Sequence, residues 1–197
     1  MSAVIDFDSI NETIFASRDY KLKSRELSER YIGQALSSHK RELLERFDNH
    51  SITQELEAGP GSSNISGTLG GYGDLFSFIG FRGSAKPTEQ LRRLLESISY
   101  LEPAYINNKW VFTIPLPDKK SIIFATPIPW QPGAGWAIEV EKGISGLGRF
   151  LSIARSGRSG GGIEVEKVIR QASESTRMGY ITPMLERFRV DFERVRL

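Results

Sequence analysis

Eight of the nineteen glycines of this 197-residue chain fall between Gly59 and Gly83, and large apolar residues run among them. Ile65, Leu69, Tyr72, Leu75, Phe76, Phe78, Ile79 and Phe81 share the segment with those glycines. Glycine permits tight turns and close backbone approach, whereas the aromatic and aliphatic groups require cover from water. A spacer would carry glycine and serine without the aromatics. The expectation is therefore a projecting loop or hairpin over residues 51–83, opening with a short strand-like Ile52–Leu56. Its apolar groups would be covered by a neighbouring subunit, because so irregular a stretch is a poor shelter for itself. Ile65, Leu69, Tyr72, Leu75, Phe76, Phe78 and Phe81 are the expected subunit-interface residues.

Around that segment the periodicity predicts an α+β domain. It has a long N-terminal helix, a small antiparallel β-meander and C-terminal helices. Residues 1–23 are weakly patterned and read as an arm; residues 24–197 read as one domain. From Ser24 to about Asn49, Leu27, Tyr31, Ala35, Leu36, Leu43, Leu44 and Phe47 recur at helical steps, with Glu26–Arg30 and Glu42–Arg46 as favourable i,i+4 pairs. A second helix is expected over Lys86–Ser99, with Pro87 in its first turn and Leu91, Leu94, Leu95 and Ile98 on one face. The meander spans Tyr100–Trp130. Asn107-Asn108 makes a tight turn into Lys109–Ile114, where Trp110, Phe112 and Ile114 alternate with Val111 and Thr113, and Ser121–Thr126 returns as a strand. A stripe from Trp136 to Leu151, a Gly/Ser loop over 152–162 and a final helix from Thr182-Pro183 through Leu185, Phe188, Phe192 and Val195 complete the order.

Composition excludes several chemistries. Without cysteine there are no disulfides, thiolate metal sites or cysteine nucleophiles. Two histidines, His39 and His50, cannot build a histidine-rich metal centre; His39 reads as a surface residue, and His50 as a cation placed after a helix end. Gly143-Ile144-Ser145-Gly146-Leu147 lacks the last glycine of a nucleophile elbow, and Phe76 stands where a dinucleotide fingerprint needs its third glycine. The carboxylate pairs Glu139/Glu141 and Glu164/Glu166 have no further support as an acid/base couple. No catalytic, cofactor-binding or metal-binding residue is assigned, and an enzyme is not expected. The longest apolar runs are about four residues, against the roughly 20 a spanning helix needs, so no membrane partner is expected. Met1–Asp6 lacks the pattern of a secretory signal. The formal net charge of +2 divides into −3 for residues 1–57, +2 for 58–134 and +3 for 135–197. The basic run Lys142–Arg158, with Arg149, Arg155 and Arg158 and no acid before Glu164, offers a contact for DNA or an acidic partner.

The letters NHSITQEL from Asn49 to Leu56, then SNISGTLGGYGDLFSFIGF from Ser63 to Phe81, resemble a segment of small virion proteins of tailed bacteriophages. Gly143–Leu151 (GISGLGRFL) and Arg155–Gly160 (RSGRSG) are similar to a second such segment. In those proteins, too, a long helix precedes a glycine-rich loop, a small sheet and a C-terminal helix; more distantly, the layout is similar to that of neck and tail-completion proteins. The resemblance implies a structural virion protein assembled in the host cytoplasm. It would form a homo-oligomeric ring that joins head to tail, next to other connector and tail proteins, and would have no catalytic residues. The alternative is a small nucleic-acid-binding accessory protein using Arg149–Arg158.

Overall fold

The computed structural model describes residues 7–69, 73–142 and 179–194. Helices α1 (Phe7–Ala16) and α2 (Arg18–Asp48) come first, then α3 (Ser51–Ala58), α4 (Leu75–Ile79) and α5 (Glu89–Glu96). A hairpin of β1 (Ala104–Ile106) and β2 (Lys109–Val111) follows, then α6 (Lys119–Ala125). A second hairpin, β3 (Pro127–Ile128) with β4 (Gln131–Gly135), runs directly into α7 (Trp136–Glu141), and α8 (Ile181–Glu193) ends the described chain. The expected mixture of a long helix near the N-terminus, small antiparallel sheets and a C-terminal helix is therefore present.

Four local expectations are corrected. Residues 7–16 are helical, and the long helix starts at Arg18 rather than Ser24; at 31 residues it is about 46 Å long. Ile52–Leu56 belongs to a helix, not a strand, because His50 caps its N-terminus: Nδ1 accepts from the Ile52 amide at 3.3 Å. Ser121–Thr126 does not return as a strand. Asp118 accepts from the Ser121 amide at 2.8 Å and from its hydroxyl at 2.6 Å, which starts α6 instead. The Ser121 hydroxyl and amide also hold the Asp118 carboxyl below its usual range. The meander is thus replaced by two separate two-stranded sheets.

The long helix also turns a different face inward. Its buried residues are Ile32, Leu36, Leu43 and Phe47, spaced four, seven and four apart. Leu27 lies nine positions before Leu36, half a revolution away at 3.6 residues per turn, so it faces solvent. Leu27 and Tyr31, expected in the core stripe, are exposed. The exposed pair Glu26–Arg30 (3.0 Å) and the half-buried pair Glu42–Arg46 (3.5 Å) form as expected.

One core joins the C-terminal half of α2 to α3, α4, α5, α6, α7 and α8, with Phe47, Ile52, Leu56, Leu75, Leu91, Leu95, Trp136 and Tyr180 fully enclosed. Gly135 allows α7 to start close against α6. A Cβ there would stand 2.7 Å from Ile123 Cα and 2.8 Å from Thr126 Oγ1, too near for any side chain. The same approach lets the Trp136 amide donate to the Thr126 carbonyl at 2.7 Å.

Candidate interaction surface

The glycine-rich segment is organised by a residue that the sequence reading passed over. Glu55 is fully buried on the inner face of α3. Its Oε1 accepts from the Leu75 amide at 2.7 Å and from Asn64 Nδ2 at 2.9 Å; its Oε2 accepts from the Ser66 amide at 2.8 Å and again from Asn64 Nδ2 at 3.2 Å. Asn64 returns the other half of its amide, Oδ1 accepting from the Leu69 backbone at 3.0 Å. One carboxylate thus gathers Asn64 and Ser66 against α3 and holds the first amide of α4. A carboxylate in a dry site is costly unless its lone pairs are used, and here they are used by donors of the loop itself. The signal was present once a helix is assumed: Ile52, Glu55 and Leu56 stand at i, i+3 and i+4, so Glu55 shares the apolar face.

This clasp corrects the expected projecting arm. Leu75 and Phe76, expected at a subunit interface, are enclosed in the chain's own core, because α4 packs against α3. Leu69, Phe78 and Phe81 are partly covered by the same core, and the Phe76 and Phe81 rings meet at 5.5 Å, tilted by 49°. The turn closing α4 puts Gly80 at φ 94°, where the Phe81 amide reaches back to the Phe76 carbonyl at 3.1 Å. Ile65 alone of the six that are described is an exposed large hydrophobic residue, at 52%. Tyr72 lies outside the described residues, as do Arg149, Arg155 and Arg158 with their loop.

Apolar surface is found elsewhere. The first hairpin lies along the N-terminal half of α2. Its turn, Asn107-Asn108, has φ of 50° and 61°, the mirror-image turn expected for the pair, and Tyr105 sits opposite Trp110. Their rings, 4.9 Å apart, face α2: Trp110 Nε1 donates to Ser24 Oγ at 3.1 Å, Lys21 Nζ lies 5.0 Å above Tyr105, and the Arg25 guanidinium lies 5.7 Å from the Trp110 ring. Arg25 also pairs with Glu29 at 2.7 Å and Glu102 at 2.5 Å. With that face occupied, Ile106 and Val111 point outward, and Leu22 (57% exposed) and Leu27 (62%) project from other sides of the helix. Phe124, on α6, is 86% exposed.

Both histidines are bound into the fold. The His39 ring meets Phe192 edge-on at 5.8 Å. His50 is not a cation relieving a preceding helix end; its Nδ1 is the acceptor that caps α3, and its ring lies 4.9 Å from that of Tyr180. Burial pushes the His50 imidazole below its ordinary 6.5, with a hydrogen bond to the Gly179 backbone acting in the opposite direction. Because the folded value lies below the unfolded one, the contribution of neutral His50 to stability is complete above pH 6.5. It is lost as pH falls through the folded value. Urea midpoints measured from pH 8 to pH 5 should therefore fall more steeply in the wild type than in His50→Asn, which keeps a capping acceptor that does not titrate. Equal slopes would remove His50 from the acid response.

Among the described residues no group of three or more acidic or histidine side chains is placed to hold a metal ion, and no helix is long and apolar enough to cross a membrane. Comparison with protein-family models, with curated proteins and with solved structures finds no match to this chain.

Proposed function

We propose that the chain is a structural subunit of a tailed-bacteriophage virion. It acts as a ring-forming neck or tail-completion component that joins head and tail through contacts between identical subunits and with neighbouring connector and tail proteins. The observation that supports this reading most is the solvent-facing apolar set on the N-terminal half of α2 and its hairpin. Leu22 and Leu27 stand on the part of α2 that runs about 20 Å before its first buried residue, Ile32, and Ile106 and Val111 on the hairpin beside it. Two of these residues lie on different sides of the helix and two on the hairpin, so this unit offers several separate apolar positions for neighbouring subunits to cover. The order of elements and the resemblance of the Asn49–Phe81 letters add to it. The glycine-rich segment does not, since the chain covers most of it.

Light scattering of the purified chain in physiological salt should give a multiple of 22.1 kDa. Burying a leucine side chain is worth about 1.5–3 kcal/mol, so the double variant Leu22→Glu/Leu27→Glu should shift assembly toward monomer by at least about tenfold while the melting temperature of the exposed-site variant stays near wild type. A wild-type chain that stays monomeric and binds neither portal nor tail proteins would refute the proposal.

A further inference from the structure

We propose that His50 is an acid-sensitive latch between two helix entries: a proton added to its ring opens the seam between the first turn of α3 and the start of α8, while the rest of the core stays closed. The neutral ring uses both nitrogens. Nδ1 accepts from the Ile52 amide at 3.3 Å and so caps α3. The other nitrogen reaches the Gly179 backbone; that bond favours the charged ring, as an N–H donated to a carbonyl does. Gly179 is in turn pressed onto the first turn of α8, where a Cβ would stand 2.3 Å from Pro183 Cγ. Tyr180, next in the chain, lays its ring 4.9 Å from the imidazole and shares its hydroxyl at 2.7 Å with Thr53, in the first turn of α3. One half-buried side chain thus joins the two helix starts.

A second proton can enter the ring only at Nδ1, whose lone pair is already given to Ile52. Donor then faces donor, and the cap is lost. The first turn of α3, closed by the Gln54 amide on the His50 carbonyl at 3.0 Å, frays and loosens Thr53 with it. The carboxylates of the surrounding elements are engaged elsewhere. Asp48 of α2 holds Arg92 at 3.0 and 3.1 Å, and Glu57 of α3 accepts from the Thr88 hydroxyl at 3.1 Å. Glu141 of α7 accepts from the Tyr180 amide at 3.2 Å and from the Thr182 amide at 2.6 Å, and Tyr180 itself stays neutral. Glu141 also limits the motion: it keeps the start of α8 on α7, so the opening is confined to the side that faces α3. Burial disfavours the charged imidazole, which keeps the latch closed at neutral pH and opens it as pH falls through the folded value. The latch lies within one chain and operates whether or not copies assemble.

Hydrogen exchange and NMR of the full chain between pH 8 and pH 5 test the latch. Protection of the Ile52 and Gln54 amides, corrected for the intrinsic rate, should fall about fivefold, the scale of a lost N-cap. The Tyr180 ring resonances should move with the same midpoint as the His50 ring nitrogens. Thr182, held by Glu141, and Leu91 and Leu95 of α5 should keep their protection. His50→Asn caps without titrating and should show none of these changes. The wild-type chain also decides without the variant: a His50 ring that titrates while Ile52 and Gln54 stay protected overturns the latch, and so does an equal loss of protection in α5. A ring that stays neutral down to pH 5, or the same fall in His50→Asn, overturns it too.

Discussion

Glu55→Ala should lose about 3–5 kcal/mol of stability, the largest loss expected from removing a single polar side chain. The substitution leaves the Ser66 and Leu75 amides inside the fold without an acceptor, and each stranded buried donor costs about 1–3 kcal/mol. It also frees Asn64, whose Oδ1 no longer holds the Leu69 amide in place. Glu55→Gln is the informative companion. It keeps the shape, but one end of its amide must present N–H to groups that are themselves donors, so at least one of the four hydrogen bonds is replaced by a donor–donor clash. Urea unfolding gives the loss. Hydrogen exchange shows where it arises, with protection of the Ser66, Leu69 and Leu75 amides falling before that of the α2 core. If Glu55→Ala unfolds with the wild-type midpoint, the clasp contributes nothing, and the glycine-rich segment is held by its apolar groups alone.

Tyr180→Ala should cost a comparable 3–5 kcal/mol, for a different reason. Tyr180 is fully buried where α8 begins, with its ring 6.0 Å from Phe47, 4.9 Å from His50 and 5.9 Å from Trp136. Truncating a buried aromatic residue loses its transfer free energy and leaves a void that the neighbours fill only in part. The phenol also shares a 2.7 Å hydrogen bond with Thr53 Oγ1, and burial drives its ionisation far above the ordinary range, so it stays a neutral group there. Tyr180→Phe removes the hydroxyl while keeping the ring and should cost only about 1–2 kcal/mol, the price of an unpaired threonine hydroxyl. The contrast between the two variants, read from denaturant midpoints, separates packing from hydrogen bonding. Equal losses would place the whole effect in the hydroxyl.

These residues show what could be read without coordinates. Leu91, Leu95 and Ile98 in and after α5, and Leu185 and Phe188 in α8, lie on the faces their spacing predicted. The Asn107-Asn108 turn was legible because a turn is decided by its own backbone. Asp118 with Ser121 was equally local, and the helix start it marks was there to be seen. Leu27 is a subtler case: its spacing to Tyr31 is helical, but helical spacing identifies a face without saying whether anything lies against it.

The amino-acid order by itself determined helices α2, α5, α7 and α8, the first hairpin and the scarcity of reactive side chains, because each depends on groups within about one turn of one another. Only the folded chain decided the fate of the glycine-rich segment. The donors of Glu55 come from positions 9 to 20 residues downstream, and no local pattern announces a carboxylate whose partners arrive from so far along the chain. It likewise decided which face of α2 is covered, since that depends on where α5 and α8 come to rest. Burial belongs to the assembled set of elements, and a stretch that looks too apolar to stand alone can be sheltered once one buried acceptor folds it back.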